Sequence, residues 1–486
     1  MNQEIRNLKP RALWNFFADL NAVPRASKKE EKIRRFMVDF GKSLNLETLE
    51  DEIGNVIIKK PASKGMENRK TVILQSHLDM VHQKNDDTDF DFDTQGIEMK
   101  VDGDWVMAKG TTLGADNGLG VASIMAILAS QDIQHPPIEA LFTIDEETGM
   151  TGAQQLDGSL LNGKILLNLD TEDDDEIGIG CAGGVDVTAH RTYELESVND
   201  DESYGMKISV KGLKGGHSGM EIHKGLGNSN KILARLLTSV ESKFRIAEFE
   251  GGGLRNAIPR EAWAKIVVKN EDVAEIGRAI EAKAWDIKKE FNEVDPKLQI
   301  LIDAKVTALD KTLSEKDTED FLSLIKNLHN GVYKMSENMP GLVEASNNVA
   351  KIELKEGKAE IENLTRSSME STKDEVSQLL EEAFSKAGFT TELSGSYPGW
   401  QPNPNSEILK LLENLYLEMF SHKPNIVACH AGLECGILGE RIPGLDMISL
   451  GPTILGAHSP DEKVSISSTQ KFWKYLLNIL EKIPNK

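Results

Sequence analysis

VILQSHLD, residues 72–79, is a mainly apolar run that ends in His77 and Asp79. The stretches EALFTIDEE (139–147) and ILLNLD (165–170) follow the same pattern of apolar residues before acidic ones. Short apolar runs bounded by polar residues are typical of buried strands. In open α/β sheets, ligands bind outside the carboxyl ends of the strands. The repeated pattern therefore predicts a binding site at one edge of a sheet.

Side chains that bind metals follow these runs. The candidate ligands are His77, Asp116, Glu147, Asp170 and His458. Asp116 is a partial exception, because its loop TTLGADNG (111–118) leads into a helix and its flanking glycines would let a metal approach the backbone closely. Catalytic zinc binds imidazole nitrogen and carboxylate oxygen, and a two-metal site needs a bridging carboxylate. Two histidines and three carboxylates meet that requirement, and Glu146 and Asp79 remain for other roles.

The two remaining carboxylates have distinct predicted roles. Asp79 lies two residues after His77, on the same side of an extended chain, so it can accept the second ring N–H of the histidine. Adjacent residues of an extended segment face opposite ways, so Glu147 can bind metal while Glu146 faces water. Burial among carboxylates raises the pKa of a glutamate, which suits a general base.

Each of these residues has a simpler explanation when it is taken alone. His77 and Asp79 could lie at a solvated strand end, the Glu146–Glu147 pair could be exposed loop charge, and Asp116 could be a helix N-cap. Their common position at the ends of apolar runs favours the metal site.

Composition limits the partners of the chain. It has 486 residues, with 56 Lys and Arg against 78 Asp and Glu, and a formal net charge of −22. This charge argues against nucleic-acid or anionic-membrane partners, which require a basic face. The N-terminus does not resemble a signal peptide, and no apolar run approaches the roughly 18 residues of a spanning helix. Three cysteines suit a reducing compartment better than a disulfide framework, so we expect a cytoplasmic protein.

The order of elements predicts two domains. Residues 1–190 alternate helix and strand patterns, which predicts an α/β domain with a helix-covered, mixed and mostly parallel sheet. Residues 191–396 begin near a polar segment (194–205) that we interpret as a hinge, and continue as a βαββαβ unit and a second α+β half. Residues 397–486 resume the α/β pattern and contain His458. The site therefore needs 1–190 and 397–486 in one discontinuous catalytic domain, with 191–396 as an inserted lid of one or two α+β lobes.

A histidine of the inserted block is a further candidate. His217 lies in the glycine-rich stretch GLKGGHSG (212–219), where an imidazole could donate a hydrogen bond to a tetrahedral oxyanion. The alternative is a structural histidine in a turn.

Motifs along essentially the whole chain resemble a known family. They are SHLDMV (76–81), TLGADNG (112–118), LFTIDEETGMTGA (141–153), HAGLECG (430–436) and GAHSPDE (456–462). They resemble the co-catalytic zinc aminopeptidase, carboxypeptidase and aminoacylase superfamily, and within it the cytosol non-specific dipeptidases, also called aminoacyl-histidine dipeptidases. The resemblance implies a zinc-exopeptidase-like fold with an inserted domain.

The resemblance also implies roles for individual residues. One zinc would bind His77, Asp116 and Asp170, and the other Asp116, Glu147 and His458. The implied catalytic residues are Glu146 as general base and then acid, Asp79 as the group that orients His77, and His217 near the tetrahedral intermediate. The implied substrate-binding positions are Asn256, Arg366 and Gly432. Arg366 suits a terminal carboxylate because a guanidinium can bind it in a bidentate manner, although an arginine at a strand end often forms only a surface ion pair.

The implied reaction is hydrolysis of dipeptides, including Xaa-His, by a water activated at two Zn²⁺ ions, although Co²⁺ or Mn²⁺ would also suit the ligands. Alternatives on the same fold are an N-acyl amino acid deacylase or a tripeptidase, and a more distant one is a non-catalytic metal-binding scaffold. The HAGLECG motif favours the dipeptidase, and the intact Glu146 argues against the scaffold. Whether the inserted domain forms a homodimer, and whether His217 acts in cis or in trans, stays open.

Overall fold

The computed structural model describes residues 2–198, 203–241, 243–303 and 309–486. The α-helices are α1 Arg11–Leu20, α2 Glu31–Ser43, α3 Ala115–Ala129, α4 Glu146–Gly149, α5 Thr151–Gln154, α6 Ser229–Leu237, α7 Val273–Glu290, α8 Glu315–Asn327, α9 Glu370–Lys386, α10 Glu407–Phe420, α11 Glu434–Arg441 and α12 Ile466–Lys482. The strands of the first part of the chain are β1 Glu47–Glu50, β2 Val56–Lys60, β3 Val72–His77, β4 Met99–Asp102, β5 Trp105–Ala108, β6 Ile138–Thr143, β7 Ile165–Asn168, β8 Glu176–Cys181, β9 Gly183–Thr192, β10 Glu196–Ser197, β11 Ser203–Lys211, β12 Gly216–His217 and β13 Phe244–Gly251. The remaining strands are β14 Ala257–Ile258, β15 Ala262–Lys269, β16 Gln299–Asp303, β17 Lys311–Thr312, β18 Gly331–Met335, β19 Val343–Lys355, β20 Lys358–Ser367, β21 Thr390–Tyr397, β22 Asn425–Cys429, β23 Asp446–Ser449, β24 Ile454–Leu455 and β25 Lys463–Ser465.

The chain forms two compact units. Unit 1 comprises Met1–Gly180, Pro402–Ala428 and Leu433–Lys486, and unit 2 comprises Cys181–Gln401 and Cys429–Gly432. The boundary suggested by the sequence, after residue 190, falls inside β9. This strand pairs along its length with β20 and β21 of unit 2, so its hydrogen bonds assign it to unit 2. The local sequence does not contain that information, because strand pairing is a long-range property.

Unit 1 is built on an eight-stranded sheet with the order β1-β2-β6-β3-β7-β23-β8-β22. The predicted mixed sheet is confirmed, with parallel pairing in the central strands β6, β3, β7 and β23. Strands β1, β2 and β8 pair antiparallel. Every residue of β3 and β6 is buried, as expected for parallel strands covered on both faces. Helix α3 packs against β3, and α10 packs against β23.

The parallel register brings the ends of three strands to one edge of this sheet. His77, the last residue of β3, pairs with Thr143, the last residue of β6. Gln75 of β3 pairs with Asn168 at the end of β7. The residues that follow β6 and β7 therefore emerge beside His77, as the apolar runs predicted.

His458 reaches the site by a different route from the one the sequence suggested. Strand β23 ends at Ser449, and His458 lies in the loop between β24 and β25. These two strands belong to a separate four-stranded sheet of unit 1, with the order β24-β25-β5-β4. The apolar run that predicted a strand before His458, MISLGPTILGA (447–457), thus begins in the main sheet with β23 and continues into the smaller sheet with β24.

Unit 2 is built on a nine-stranded sheet with the order β16-β11-β15-β13-β19-β20-β9-β21, in which β18 also pairs with β19. The predicted βαββαβ order is observed as β11, α6, β13, β15, α7 and β16. Strands of the second predicted half, β19 to β21, join the same sheet, and the apolar residues of both halves pack in one core. Part of the suggested hinge (194–205) and the end of the last strand of the predicted βαββαβ unit (298–306) lie outside the described residues. None of the helices in the described part of the chain is long and apolar enough to cross a lipid bilayer.

Candidate metal and catalytic site

The first group of candidate ligands surrounds His77. Its Nε2 atom lies 3.1 Å from Asp116 Oδ1 and 3.5 Å from Asp170 Oδ1. The histidine is buried, with 1% of its side chain exposed, and the two carboxylates are nearly so. The ligand atoms of all three residues lie within 4.8 Å of one another, which is the spacing that a single metal ion requires of its ligands.

A second group shares Asp116 with the first. His458 Nε2 lies 3.2 Å from Asp116 Oδ2 and 3.0 Å from Glu147 Oε2. The two oxygens of Asp116 thus face different histidines, Oδ1 towards His77 and Oδ2 towards His458. Asp116 does not cap helix α3, which has Gly114 as its N-cap and no capping side chain. The helix-cap alternative for Asp116 therefore does not describe its contacts.

The carboxylates of this site stabilise positive charge, which favours a bound cation. Burial raises the pKa of Asp170 to about 6, and hydrogen bonds with Asp116 and Glu147 raise the pKa of His458 to about 11. Burial also acts to raise the pKa of Asp116, but hydrogen bonds from the two histidines outweigh it and leave the pKa below its usual range. Glu147 Oε1 is buried and has no hydrogen-bond partner among the described residues. Imidazole nitrogens and carboxylate oxygens in this number fit zinc and similar divalent cations.

Asp79 contacts both His77 and the turn that carries Glu146 and Glu147. Its Oδ1 lies 3.4 Å from His77 Nδ1, so it is placed to hold the ring with Nε2 towards the candidate metal position. Asp79 also accepts the backbone N–H groups of Glu146, at 3.0 Å, and of Glu147, at 3.2 Å. The sequence predicted the first contact, and only the structure reveals the second, which fixes the turn that carries both glutamates.

Glu146 and Glu147 occupy a helical turn where the sequence suggested an extended loop. They are the first residues of α4, preceded by Asp145 in a left-handed conformation with φ 53°. Successive side chains on a helix are separated by about 100°, so the two carboxylates still point in different directions. Burial raises the pKa of Glu146 well above its usual value against the opposing effect of His77. Glu146 also lies in a third close group with His77 and Glu147. This position is compatible with two roles, a general base and a metal ligand.

The structure adds buried charged residues that the sequence did not single out. Three of them, in unit 1, are Arg25, Glu434 and Glu462. Glu434 and Glu462 lie inside the HAGLECG and GAHSPDE motifs, which could have drawn attention to them, whereas Arg25 has no local signal. Gly114, one of the two glycines beside Asp116, also leaves room for Arg25, because an added Cβ there would lie 2.4 Å from Arg25 Nη2.

His217 is held in one tautomer by its surroundings in unit 2. Its Nδ1 atom accepts the backbone N–H groups of Gly219, at 3.2 Å, and Met220, at 3.0 Å. Burial, together with the nearby charge of Arg366, lowers the pKa of the ring. A neutral ring with Nδ1 as acceptor carries its proton on Nε2. His217 is therefore a hydrogen-bond donor at Nε2, as its predicted role requires.

The predicted substrate-binding residues all belong to unit 2 and differ in exposure. Arg366 is 5% exposed, which does not fit a surface ion pair, and its Nε has no hydrogen-bond partner among the described residues. Its Nη1 donates to the Tyr397 hydroxyl at 2.8 Å. Gly432 leaves room for that tyrosine, since an added Cβ would lie 2.9 Å from its ring. Asn256 is exposed, and its carbonyl accepts the N–H of Ser218 at 2.8 Å.

Comparison with known proteins gives consistent results. A family model described as peptidase family M20/M25/M40 matches residues 73–482. The chain is 44% identical over 487 residues to the cytosol non-specific dipeptidase of Escherichia coli (strain K12), covering 99% of this chain and 100% of that protein. The crystal structure of aminoacylhistidine dipeptidase from Vibrio alginolyticus superposes with a TM-score of 0.93 at 42% identity, covering 100% of this chain and 99% of that one. A tripeptidase from Staphylococcus aureus subsp. aureus Mu50 superposes with a TM-score of 0.56 at 16% identity, over 98% of this chain and 99% of that one, which shows a shared fold only.

Proposed function

The chain belongs to peptidase family M20/M25/M40, and from that premise we propose that it hydrolyses dipeptides at a two-metal centre. The proposed ligands are His77, Asp116, Glu147, Asp170 and His458. The observation that carries the proposal is the position of Asp116, which offers one carboxylate oxygen to each of two ligand groups. A shared carboxylate of this kind is the hallmark of paired metal ions.

The alternatives on the same fold are less well supported. Similarity to a dipeptidase extends over the full length of the chain at 44% identity, whereas the tripeptidase shares only the fold. A non-catalytic scaffold does not need a half-buried glutamate beside the ligand groups, yet Glu146 is in that position. The enzyme is therefore a metallopeptidase of the dipeptidase class.

The proposed mechanism assigns a proton-transfer role to Glu146. Two divalent cations, when bound, supply the Lewis acidity that hydrolysis of an amide requires. The carboxylate of Glu146 removes a proton from the attacking water and later delivers it to the leaving amine nitrogen. A raised pKa suits this cycle, because the carboxyl group must hold the proton between the two steps.

Two further residues assist without being ligands. Asp79 Oδ1 lies 3.4 Å from His77 Nδ1, where it would accept the N–H of that nitrogen and so keep the Nε2 lone pair available for a metal. We propose that His217 donates from Nε2 to the carbonyl oxygen as negative charge develops on it. Its lowered pKa keeps the ring neutral and its tautomer defined at neutral pH.

We propose zinc as the metal, since a mixed set of imidazole and carboxylate ligands suits it, although cobalt and manganese bind similar sets. We also propose a cytoplasmic location, in line with the cytosol enzyme that the chain resembles, and a homodimer that forms through unit 2. The large exposed side chains of Leu254 and Trp285 support such a contact, with 70% and 66% of their surface exposed. Sedimentation velocity that detects only monomer at micromolar concentration would argue against the dimer.

A substrate panel tests the proposed reaction. Xaa-His and other dipeptides, a tripeptide and an N-acetyl amino acid are offered to metal-stripped and zinc-restored enzyme. We expect the stripped enzyme to be inactive and the restored enzyme to cleave the dipeptides only, because the reaction depends on the metals. Cleavage of the acetylated substrate alone would leave the metal centre intact and overturn the dipeptidase assignment. Failure to cleave anything with two zinc ions bound would favour the scaffold.

The proposed role of Arg366 has its own test. We expect Arg366→Lys to lower kcat/KM for a dipeptide by about 10- to 100-fold, since it loses a charge-assisted bidentate bond worth about 1.5–3 kcal/mol. The same dipeptide with a C-terminal amide should lose much less, because it has no carboxylate to bind. Arg235→Lys, on the surface of α6, serves as the matched control. Equal losses for acid and amide would show that Arg366 does not bind the carboxylate.

A further inference from the structure

Glu462 is a buried carboxylate that binds four consecutive backbone N–H groups. It is 2% exposed. Its Oε2 accepts from Leu113 at 2.7 Å and Gly114 at 2.9 Å, and its Oε1 accepts from Ala115 at 2.7 Å and Asp116 at 3.3 Å. The segment 113–116, which ends in the shared aspartate, is thus held by a residue only four positions after His458.

Arg25 holds the same segment from the carbonyl side. Its guanidinium, also 2% exposed, donates to the carbonyl of Gly114 at 2.5 Å. It donates as well to the carbonyls of Leu78, at 3.1 Å, and Asp79, at 3.0 Å. One guanidinium therefore ties the segment after His77 to the segment that carries Asp116.

The backbone conformation around Asp116 allows Arg25 and Glu462 to approach it closely. Gly114 has φ +69°, and an added Cβ at Gly114 or Gly118 would lie 2.4 Å or 2.7 Å from Arg25 Nη2. Asp116 itself departs from helical geometry inside α3, with φ −78° and ψ 111°. The backbone N–H groups just before a helix and in its first turn have no acceptor within the helix, so they need other acceptors when they are buried. Glu462 provides those acceptors.

We propose that Glu462 and Arg25 are positioning residues of the metal centre, which hold Asp116 so that its two oxygens face His77 and His458. A bridging carboxylate has little freedom, because a small rotation of its backbone would withdraw one oxygen from its group. Neither residue is a proposed ligand, so both act through the backbone. This inference rests on the proposed function, in particular on the two-metal centre.

Zinc binding tests the proposal directly, with Glu462→Gln as the variant. Glutamine retains only one acceptor oxygen and turns an NH₂ group towards N–H donors, so about half of the four hydrogen bonds are lost. Replacement of a residue that orients a metal ligand without itself binding the metal typically weakens metal binding by about 10- to 100-fold. We expect the variant to bind at least one of the two zinc ions at least about tenfold more weakly, in titrations of the metal-free protein followed by calorimetry and by metal analysis. Asp461→Asn, a change of the same charge at the adjacent exposed residue, should bind both ions normally.

A second readout separates positioning from general destabilisation. Because Glu462 acts on metal binding, excess zinc should restore much of the activity of Glu462→Gln at saturating dipeptide. A purely structural role would lower the thermal stability of the metal-free protein without changing zinc affinity in the fraction that is folded.

Arg25→Lys keeps the inference testable if the glutamine variant does not fold. Lysine retains the positive charge but cannot bridge both segments as a planar fork does, so it should also weaken zinc binding, while the exposed Arg35→Lys should not. Zinc affinities within about twofold of the unmodified enzyme in a folded Glu462→Gln or Arg25→Lys protein would overturn the proposal. If Asp116→Asn also binds two zinc ions normally, the proposed metal centre itself fails, which is a separate outcome.

Discussion

Replacement of Glu146 by glutamine is expected to lower kcat for dipeptides by about 10²- to 10⁴-fold, the range in which general acid–base groups contribute. Glutamine has nearly the same shape as glutamate but cannot accept the proton of the attacking water. KM should change little, because Glu146 is not proposed to bind the ends of the substrate. The measurement is steady-state kinetics on zinc-loaded enzyme at several dipeptide concentrations.

Zinc content decides how that result is interpreted. Glu146 forms a close group with His77 and Glu147, so it lies close enough to these residues to share a metal ion with them. As a base, it should leave two zinc ions bound after the change to glutamine, whereas as a ligand it should lose one. Glu98→Gln, an exposed substitution elsewhere in unit 1, is the control and should match the unmodified enzyme. An unchanged kcat would remove Glu146 from the mechanism.

The second large effect is expected for Asp116→Asn. Asparagine is neutral and has a single carbonyl oxygen, so it cannot offer one anionic oxygen to each ligand group. Both zinc ions should bind much more weakly, and kcat at ordinary zinc concentrations should fall by about 10³-fold or more, since metal ions supply several kcal/mol to such reactions. Metal analysis after dialysis and kinetics on the same samples measure the two effects together.

Variants of the unshared ligands provide the matched comparison for Asp116. Asp170→Asn removes a carboxylate from the proposed zinc position of His77, Asp116 and Asp170, and Glu147→Gln removes one from the proposed position of Asp116, Glu147 and His458. We expect each of these variants to lose one zinc ion and retain the other, whereas Asp116→Asn weakens both. If Asp116→Asn retains as much zinc as Asp170→Asn, the aspartate is not shared and the two-metal arrangement is wrong.

The positions of several candidate site residues can be predicted from the local sequence, because each of them lies at the end of a strand or just after it. An apolar run of strand length specifies a buried strand, and the residue after it must emerge at the sheet edge. Neighbouring parallel strands end at the same edge, which is why the sequence alone is enough to place His77 and Asp170 together. The same reasoning placed Glu146 and Glu147 beside them, although it missed the helical turn that they form.

Other parts of the site depend on contacts between distant segments. Glu462 binds Leu113 across 349 positions of the chain, and Arg25 binds Gly114 across 89. Neither pairing leaves a periodicity or a spacing in the sequence, because a buried hydrogen bond is specified by the three-dimensional path of both segments. The route of His458 through a small second sheet has the same origin.

By itself, the sequence determined the mixed α/β class of unit 1, the candidate metal ligands and the candidate base, because periodicity and residue chemistry are local properties. Tertiary structure alone decided which carboxylate oxygen faces which histidine, which nitrogen of His217 carries the proton, and to which unit β9 belongs. These features depend on distances of a few ångströms between residues far apart in the chain. Only the packed backbone defines such distances.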